Sequence, residues 1–269
     1  SYVPQGIAPD LFMANFSPQQ YLALLAADDI SPEVKQYISQ RTSELFGRYE
    51  NMPAAEETDA AMRWLAQHNA GSNIAASARN AVMRPYYAFS RYLFGLKDLH
   101  TSRALLGRVE DAHINNLPID WDEEMRLALT EAQNMSSNND FGMLNDYYTT
   151  NIGTRLPRFE NRDAAVDYSF SEEYGDLRIL FEICRQKGIE PLFVHIPFDG
   201  EWSDFTGLTA DRRNVYYDTV RAIAQEYSIE VLDLTAYEYE KYFLCDIVHL
   251  GWKGWLHVNR AIIEFHNRG

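Results

Sequence analysis

The sequence predicts an α/β protein in which a parallel-sheet layer follows a long helical region. Three observations point there. Up to about residue 160, apolar residues recur at helical spacing in one segment after another. Beyond about residue 165, two short apolar runs, "IEPLFVHIP" and "SIEVLDLT", read as buried strands. Amphipathic helical patterns precede, separate and follow those runs, the order that builds a parallel α/β layer. The expected division is a mostly helical accessory region at 1–160 and an α/β part at 161–269.

Each element has its own signal. "SPEVKQYISQRTSELFGRYE" opens with Ser31 as N-cap and Pro32 in the first helical position, and Val34, Tyr37, Ile38, Leu45, Phe46 and Tyr49 form its apolar face. "AAEETDAAMRWLAQHN" and "AASARNAVMRPYYAFSRYLFGL" read as further helices, the second broken or kinked at Pro85. "IDWDEEMRLALTEAQNM" is a helix whose acidic first turn suits the positive end of its dipole. "SSNND" (136–140) and "NIGTRLPRF" (151–159) read as connectors. "SFSEEYGDLRILFEICRQKG" is a helix capped by Ser171 and stopped by Gly188. The stripe Val215, Tyr216, Thr219, Val220, Ile223, Ala224 and Tyr227 marks another, and residues 252–267 form the closing amphipathic helix.

Composition narrows the function classes. The chain has 269 residues, 46% hydrophobic, enough to bury a substantial core. Its 24 Lys and Arg against 39 Asp and Glu give a formal net charge of −15, which argues against a nucleic-acid binder. No apolar run of membrane-spanning length and no basic-plus-apolar leader occurs. "SYVPQGIAPD" reads as the middle of a loop, so the natural start is expected further upstream. Cys184 and Cys245 are too few for a disulfide framework or a four-cysteine zinc site, and either two thiols or one bridge fits them.

In parallel α/β layers, function gathers in the loops that follow the carboxyl ends of strands. The second such loop leads into "LCDIVHLGWKGWL", where Asp246 precedes His249 by three residues. A serine or thiol nucleophile reacts slowly until a base takes its proton, and a carboxylate fixes that base's tautomer. A D-x-x-H turn places both groups within hydrogen-bonding reach, although the tetrapeptide is common and also suits a capping aspartate beside a partly exposed histidine. Gly251 and Gly254 allow close backbone approach beside this turn. Trp252, Trp255, Leu256, Ala261, Ile262 and Phe265 have core spacing. Lys253 can meet an anion or simply be solvated. The other loop, "IPFDGEWSDFTGL", carries Asp199 and Trp202, which suit either a cleft wall or a surface loop whose tryptophan covers an apolar edge. His257, the nearest other histidine, does not complete a metal-ligand set, and no cofactor motif is present. No G-x-S-x-G elbow occurs. "YGDLR" has Leu177 where a G-D-S block would have serine. No serine of the chain sits in a nucleophile setting.

On these residues the chain resembles DltD, the D-alanyl transfer proteins of Gram-positive bacteria. The resemblance rests on "PLFVHIPFDGEWSDFTGL" and "YEYEKYFLCDIVHLGWKGWL", more loosely on "LFMANFSPQQYLALL" and "VKQYISQRTSELF", and runs from about residue 6 to the end. It implies an SGNH-hydrolase-like (flavodoxin-like) parallel-sheet layer, incomplete at its N-terminus and carrying a large helical insertion. It also implies a serine–histidine–aspartate mechanism for acyl transfer or (thio)ester hydrolysis in D-alanylation of lipoteichoic acid. Asp246 would orient His249, His249 would be the base, and the serine would lie upstream of residue 1. Asp199, Trp202, Trp252 and Lys253 would contact substrate. Asp199 stands where many members have Asn, and an ionised Asp accepts but does not donate, which disfavours an oxyanion role. The implied partners are a membrane-bound O-acyltransferase, the D-alanyl carrier protein and lipoteichoic acid. The implied location is the extracellular face of the cytoplasmic membrane, held by an upstream helix. A non-catalytic module that binds the acyltransferase or the polymer is the other reading.

Overall fold

The structure, a computed structural model, describes residues 7, 12, 16–49, helical positions 82, 83, 85, 86, 88, 89, 92, 93, 95–97 and 100, and residues 118–268. The helix expected over 54–69 lies outside the described residues. Met83, Pro85 and Tyr86 are helical positions. The chain divides into two compact units, one of residues 1–6, 116–181 and 190–269, the other of 7–115 and 182–189.

In the second unit, α1 (Pro18–Ala26) is capped by Ser17, whose side chain accepts from the Gln20 amide. It is followed by α2 (Pro32–Tyr49), which begins as expected at Ser31, whose hydroxyl accepts from the Val34 amide. Tyr21, Leu22 and Leu25 pack with Phe16, Ile38 and Met83, and the buried Tyr21 and Ser39 hydroxyls share a hydrogen bond of 2.8 Å.

The first unit holds the sheet. It opens with α3 (Trp121–Met135), capped by Asp120. The segment expected as a plain connector, 151–159, instead takes up the end of a π-helical turn, Tyr148–Ile152, and a short 3-10 helix, Gly153–Arg158. Next comes α4 (Glu173–Lys187), which belongs to the other unit from Glu182 onward; Gly188 ends it at φ +63°, a conformation that glycine adopts without a Cβ penalty. Strand β1 (Leu192–His195) leads through α5 (Gly200–Phe205) and α6 (Ala210–Glu226) to β2 (Glu230–Asp233), and α7 (Trp252–His266) closes the chain.

The two strands pair in parallel, Leu192 opposite Glu230 through His195 opposite Asp233. Because side chains alternate across a strand, the sheet has two distinct faces. Phe193 and Val231 pack on Tyr174, Leu177 and Phe181 of α4 and on Tyr217, Val220 and Ile223 of α6. Val194 and Leu232 pack on the opposite cluster of Leu234, Phe243, Leu244, Leu250 and Val258. This mixed α/β arrangement with a small parallel sheet is the coarse class that the sequence predicts. The buried face of α6 is rotated from the expected stripe: Val215 is exposed, whereas Arg213 and Tyr217 are buried. The charge on Arg213 hid the true edge of that face. Among the described residues, no helix is long and apolar enough to cross a membrane.

Candidate active site

The loop between β2 and α7 is built from a three-residue rhythm. Leu244 and Leu250 face each other across an antiparallel bridge and anchor both ends of the loop in the cluster beside α7. Ile247, midway between them, is packed into a second apolar cluster with Met143, Ile152 and Trp202. Backbone bonds close the loop: Cys245 N–H donates to His249 O at 2.8 Å, and Leu144 N–H to Cys245 O at 2.9 Å. With Leu244, Ile247 and Leu250 pinned inward, Asp246 and His249 share the remaining face.

The pair is formed as the D-x-x-H spacing leads one to expect. One carboxylate oxygen of Asp246, Oδ1, accepts from the amides of Val248 (2.9 Å) and His249 (2.8 Å). The other, Oδ2, lies 2.7 Å from His249 Nδ1. Three bonds therefore hold the carboxylate, whose side chain is 13% exposed, while the imidazole is 75% exposed. A carboxylate on Nδ1 selects the tautomer with the proton there and leaves the lone pair on Nε2, at the opposite edge of the ring. His249 and Val248 line an open cleft with Ile196, Pro197, Phe198 and Tyr216, directly past the carboxyl end of β1. The cleft is apolar apart from the imidazole and the tyrosine.

The other expected contact residues are placed differently. Trp202 is 4% exposed and forms the centre of an aromatic group with Phe141, Phe159 and Phe205. Asp199 caps α5 by accepting from the Trp202 amide at 2.8 Å, and burial pushes its carboxyl up to about 6. It lines a separate recess with Glu201, Glu238 and Tyr239. The stretch read as a loop thus contains a helix that Asp199 starts and Trp202 fastens. Lys253 is largely buried, paired with Glu240 and donating to the Lys241 carbonyl at 3.4 Å, so its charge is met within the protein. Trp252 and Trp255 are exposed; the buried side of α7 is Gly254 and Val258. The geometry dictates this choice. A Cβ at Gly254 would lie 2.7 Å from the Phe243 carbonyl oxygen, so no bulky side chain fits the face that meets the core.

The β1 loop also has most of its amides engaged. Phe198 N–H bonds the Tyr217 hydroxyl, Gly200 N–H the Glu238 carbonyl, and Trp202 and Ser203 N–H the two acceptors of Asp199. These four donors are not offered to an oxyanion. Phe198, which walls the cleft, is not singled out by the sequence, since nothing in "IPFDG" distinguishes a cleft wall from core, and Tyr216 reads there only as part of the apolar stripe of its helix. Cys184 and Cys245 are free thiols. Among the described residues, no group of three or more His, Cys, Asp or Glu side chains is placed to hold a metal.

Fold and site together define an α/β protein with a carboxylate-oriented histidine beside the carboxyl end of its parallel sheet. Comparison with known proteins makes this specific. Residues 2–267 match the family model described as DltD protein, and the chain belongs to that family. A Protein DltD of Bacillus subtilis (strain 168) is 30% identical over 276 residues, covering 100% of this chain and 66% of the relative. The Protein DltD of Staphylococcus aureus (strain NCTC 8325 / PS 47) is 31% identical over 152 residues, 55% of this chain and 37% of the relative. That of Lacticaseibacillus rhamnosus is 25% identical over 273 residues, 98% of this chain and 61% of the relative. The chain spans less than two thirds of the length of each of these relatives, reaching at most 66%.

Proposed function

We propose that this chain is the acid–base part of an acyl-transfer protein serving D-alanylation of teichoic acids, with an SGNH-hydrolase-like sheet. The observation that carries the reading is the 2.7 Å contact between His249 Nδ1 and Asp246 Oδ2, set beside an open apolar cleft. A serine supplied from outside these 269 residues would complete the site. His249 Nε2 takes the serine's proton as its oxygen attacks the acyl carbonyl carbon, and Asp246 holds the resulting imidazolium. The proton then passes to the departing oxygen or sulfur, which leaves an acyl-serine for transfer to an alcohol or to water. The acceptor is a teichoic acid hydroxyl, and the partners are a membrane-bound O-acyltransferase and the D-alanyl carrier protein. The working location is the extracellular face of the membrane, held by a helix outside this chain.

The test uses full-length protein and a D-alanyl thioester probe. His249→Ala should abolish turnover, because no other group of the cleft can take the nucleophile's proton. Undiminished turnover by His249→Ala would remove this reading and favour a binding module that holds a partner without reacting.

A further inference from the structure

The wall of the cleft is tethered from behind. Phe198, which faces the same cleft as His249, donates its amide to the hydroxyl of Tyr217 at 2.9 Å. That hydroxyl donates in turn to Glu238 Oε2 at 3.1 Å. Glu238 is gripped by Arg213, Nε to Oε2 at 2.9 Å and Nη2 to Oε1 at 3.3 Å. Arg213 is fully buried and reaches further, from Nη1 to Asp204 Oδ1 at 2.7 Å and to the Leu208 carbonyl at 2.6 Å, and from Nη2 to the Tyr239 hydroxyl at 2.8 Å. Tyr239 closes the ring by donating to Asp204 Oδ2 at 2.7 Å. A second tether lies alongside: Gly200 N–H donates to the Glu238 carbonyl at 2.7 Å, an approach so close that a Cβ there would meet the Tyr239 ring at 2.7 Å.

Both loops that leave the carboxyl ends of the strands are thus tied to one guanidinium on α6. A planar fork with five donors can hold two carboxylates, a carbonyl and a hydroxyl at once, which an ammonium cannot do with the same geometry. Arg213 is buried and the Glu238 side chain is only 15% exposed, so the bonds between those two are hard to replace by water. We propose that Arg213, acting through Glu238 and Tyr217, is a positioning residue that fixes the Phe198 wall opposite His249 and so sets how the acyl portion of the substrate is held. The proposal rests on the acyl-transfer reading above. It assigns the network to substrate binding and leaves proton transfer to Asp246 and His249.

Tyr217→Phe is the informative variant, since it keeps the ring and removes only the oxygen between Phe198 and Glu238. In full-length protein it should raise KM for the D-alanyl thioester about fivefold to tenfold, the scale of one hydrogen bond. kcat should stay unchanged, because the Asp246–His249 pair is untouched. Glu238→Gln, which keeps acceptor oxygen for Tyr217, should have a smaller effect. Amide hydrogen exchange at Phe198 should accelerate in Tyr217→Phe, and this readout needs no activity. Lowered thermal stability with unchanged KM in Tyr217→Phe would make the network merely structural and overturn the proposal. Unchanged exchange at Phe198 would overturn the tether itself. Activity surviving in His249→Ala would instead remove the acyl-transfer reading while leaving the tether to be judged by exchange.

Discussion

His249 Nδ1 sits 2.7 Å from Asp246 Oδ2, while the other oxygen of the same carboxylate binds the His249 backbone amide at 2.8 Å. One side chain thereby fixes both the main chain and the ring of its partner. Asp246→Asn separates the two jobs. The amide oxygen can still accept from the backbone, but an NH₂ facing Nδ1 favours the tautomer with the lone pair on that side. Turnover of a D-alanyl thioester by full-length protein should fall about 10³–10⁴-fold, the scale found when the carboxylate of a serine triad is neutralised. The thermal midpoint should barely move.

Trp202 supports this turn from beneath, through the cluster that also takes Ile247. Trp202→Ala should cost about 3–5 kcal/mol in urea unfolding, the usual range for removing a buried large aromatic. Trp202→Phe should recover part of that. A loss below about 1 kcal/mol would mean that the indole is not the centre of the cluster.

His195, at the end of β1, is 2% exposed and ringed by Phe193, Tyr216 and Tyr217. Burial depresses its pKa to about 4, against the pull of Asp233, whose Oδ1 lies 4.0 Å from Nδ1. The unfolded chain therefore binds the proton more readily between about pH 4 and 6.5. Stability contributed by neutral His195 is complete above that window and is lost as pH falls through it, by about 3 kcal/mol at most. His195→Phe should remove this loss, measured by urea unfolding at pH 7 and pH 4.5.

Asp199 acts in the opposite sense. Its carboxyl is raised to about 6 by burial, so the folded chain is the better proton binder between about pH 4 and 6. Stability from the protonated acid is full below that window and is lost as pH rises through it. Asp199→Asn keeps a good helix cap and carries no charge, so it should gain on the order of 2 kcal/mol at pH 7. The gain should vanish below about pH 4. Since the two groups offset each other, the wild-type pH dependence should be shallower than that of either single variant. A wild-type curve steeper than both would contradict the pair of assignments.

The sequence by itself determined both strands, most of the helices and the Asp246–His249 pair. Apolar period and capping residues located α2, α4 and α6 near their ends, because those signals are local and survive without tertiary context. The Asp246–His249 bond was legible for the same reason: three residues of separation in a turn decide it. What depended on distant partners was not legible. Trp202 looks like a cleft residue until Met143 and Phe159 surround it, and Lys253 looks solvated until Glu240 meets it. Gly254 decides which side of α7 is buried only because the Phe243 carbonyl lies against it. Arg213 reads as a surface charge until Asp204 and Glu238 close on it from two loops. Burial and charge pairing are properties of chain segments meeting in space, so only the tertiary structure could decide them.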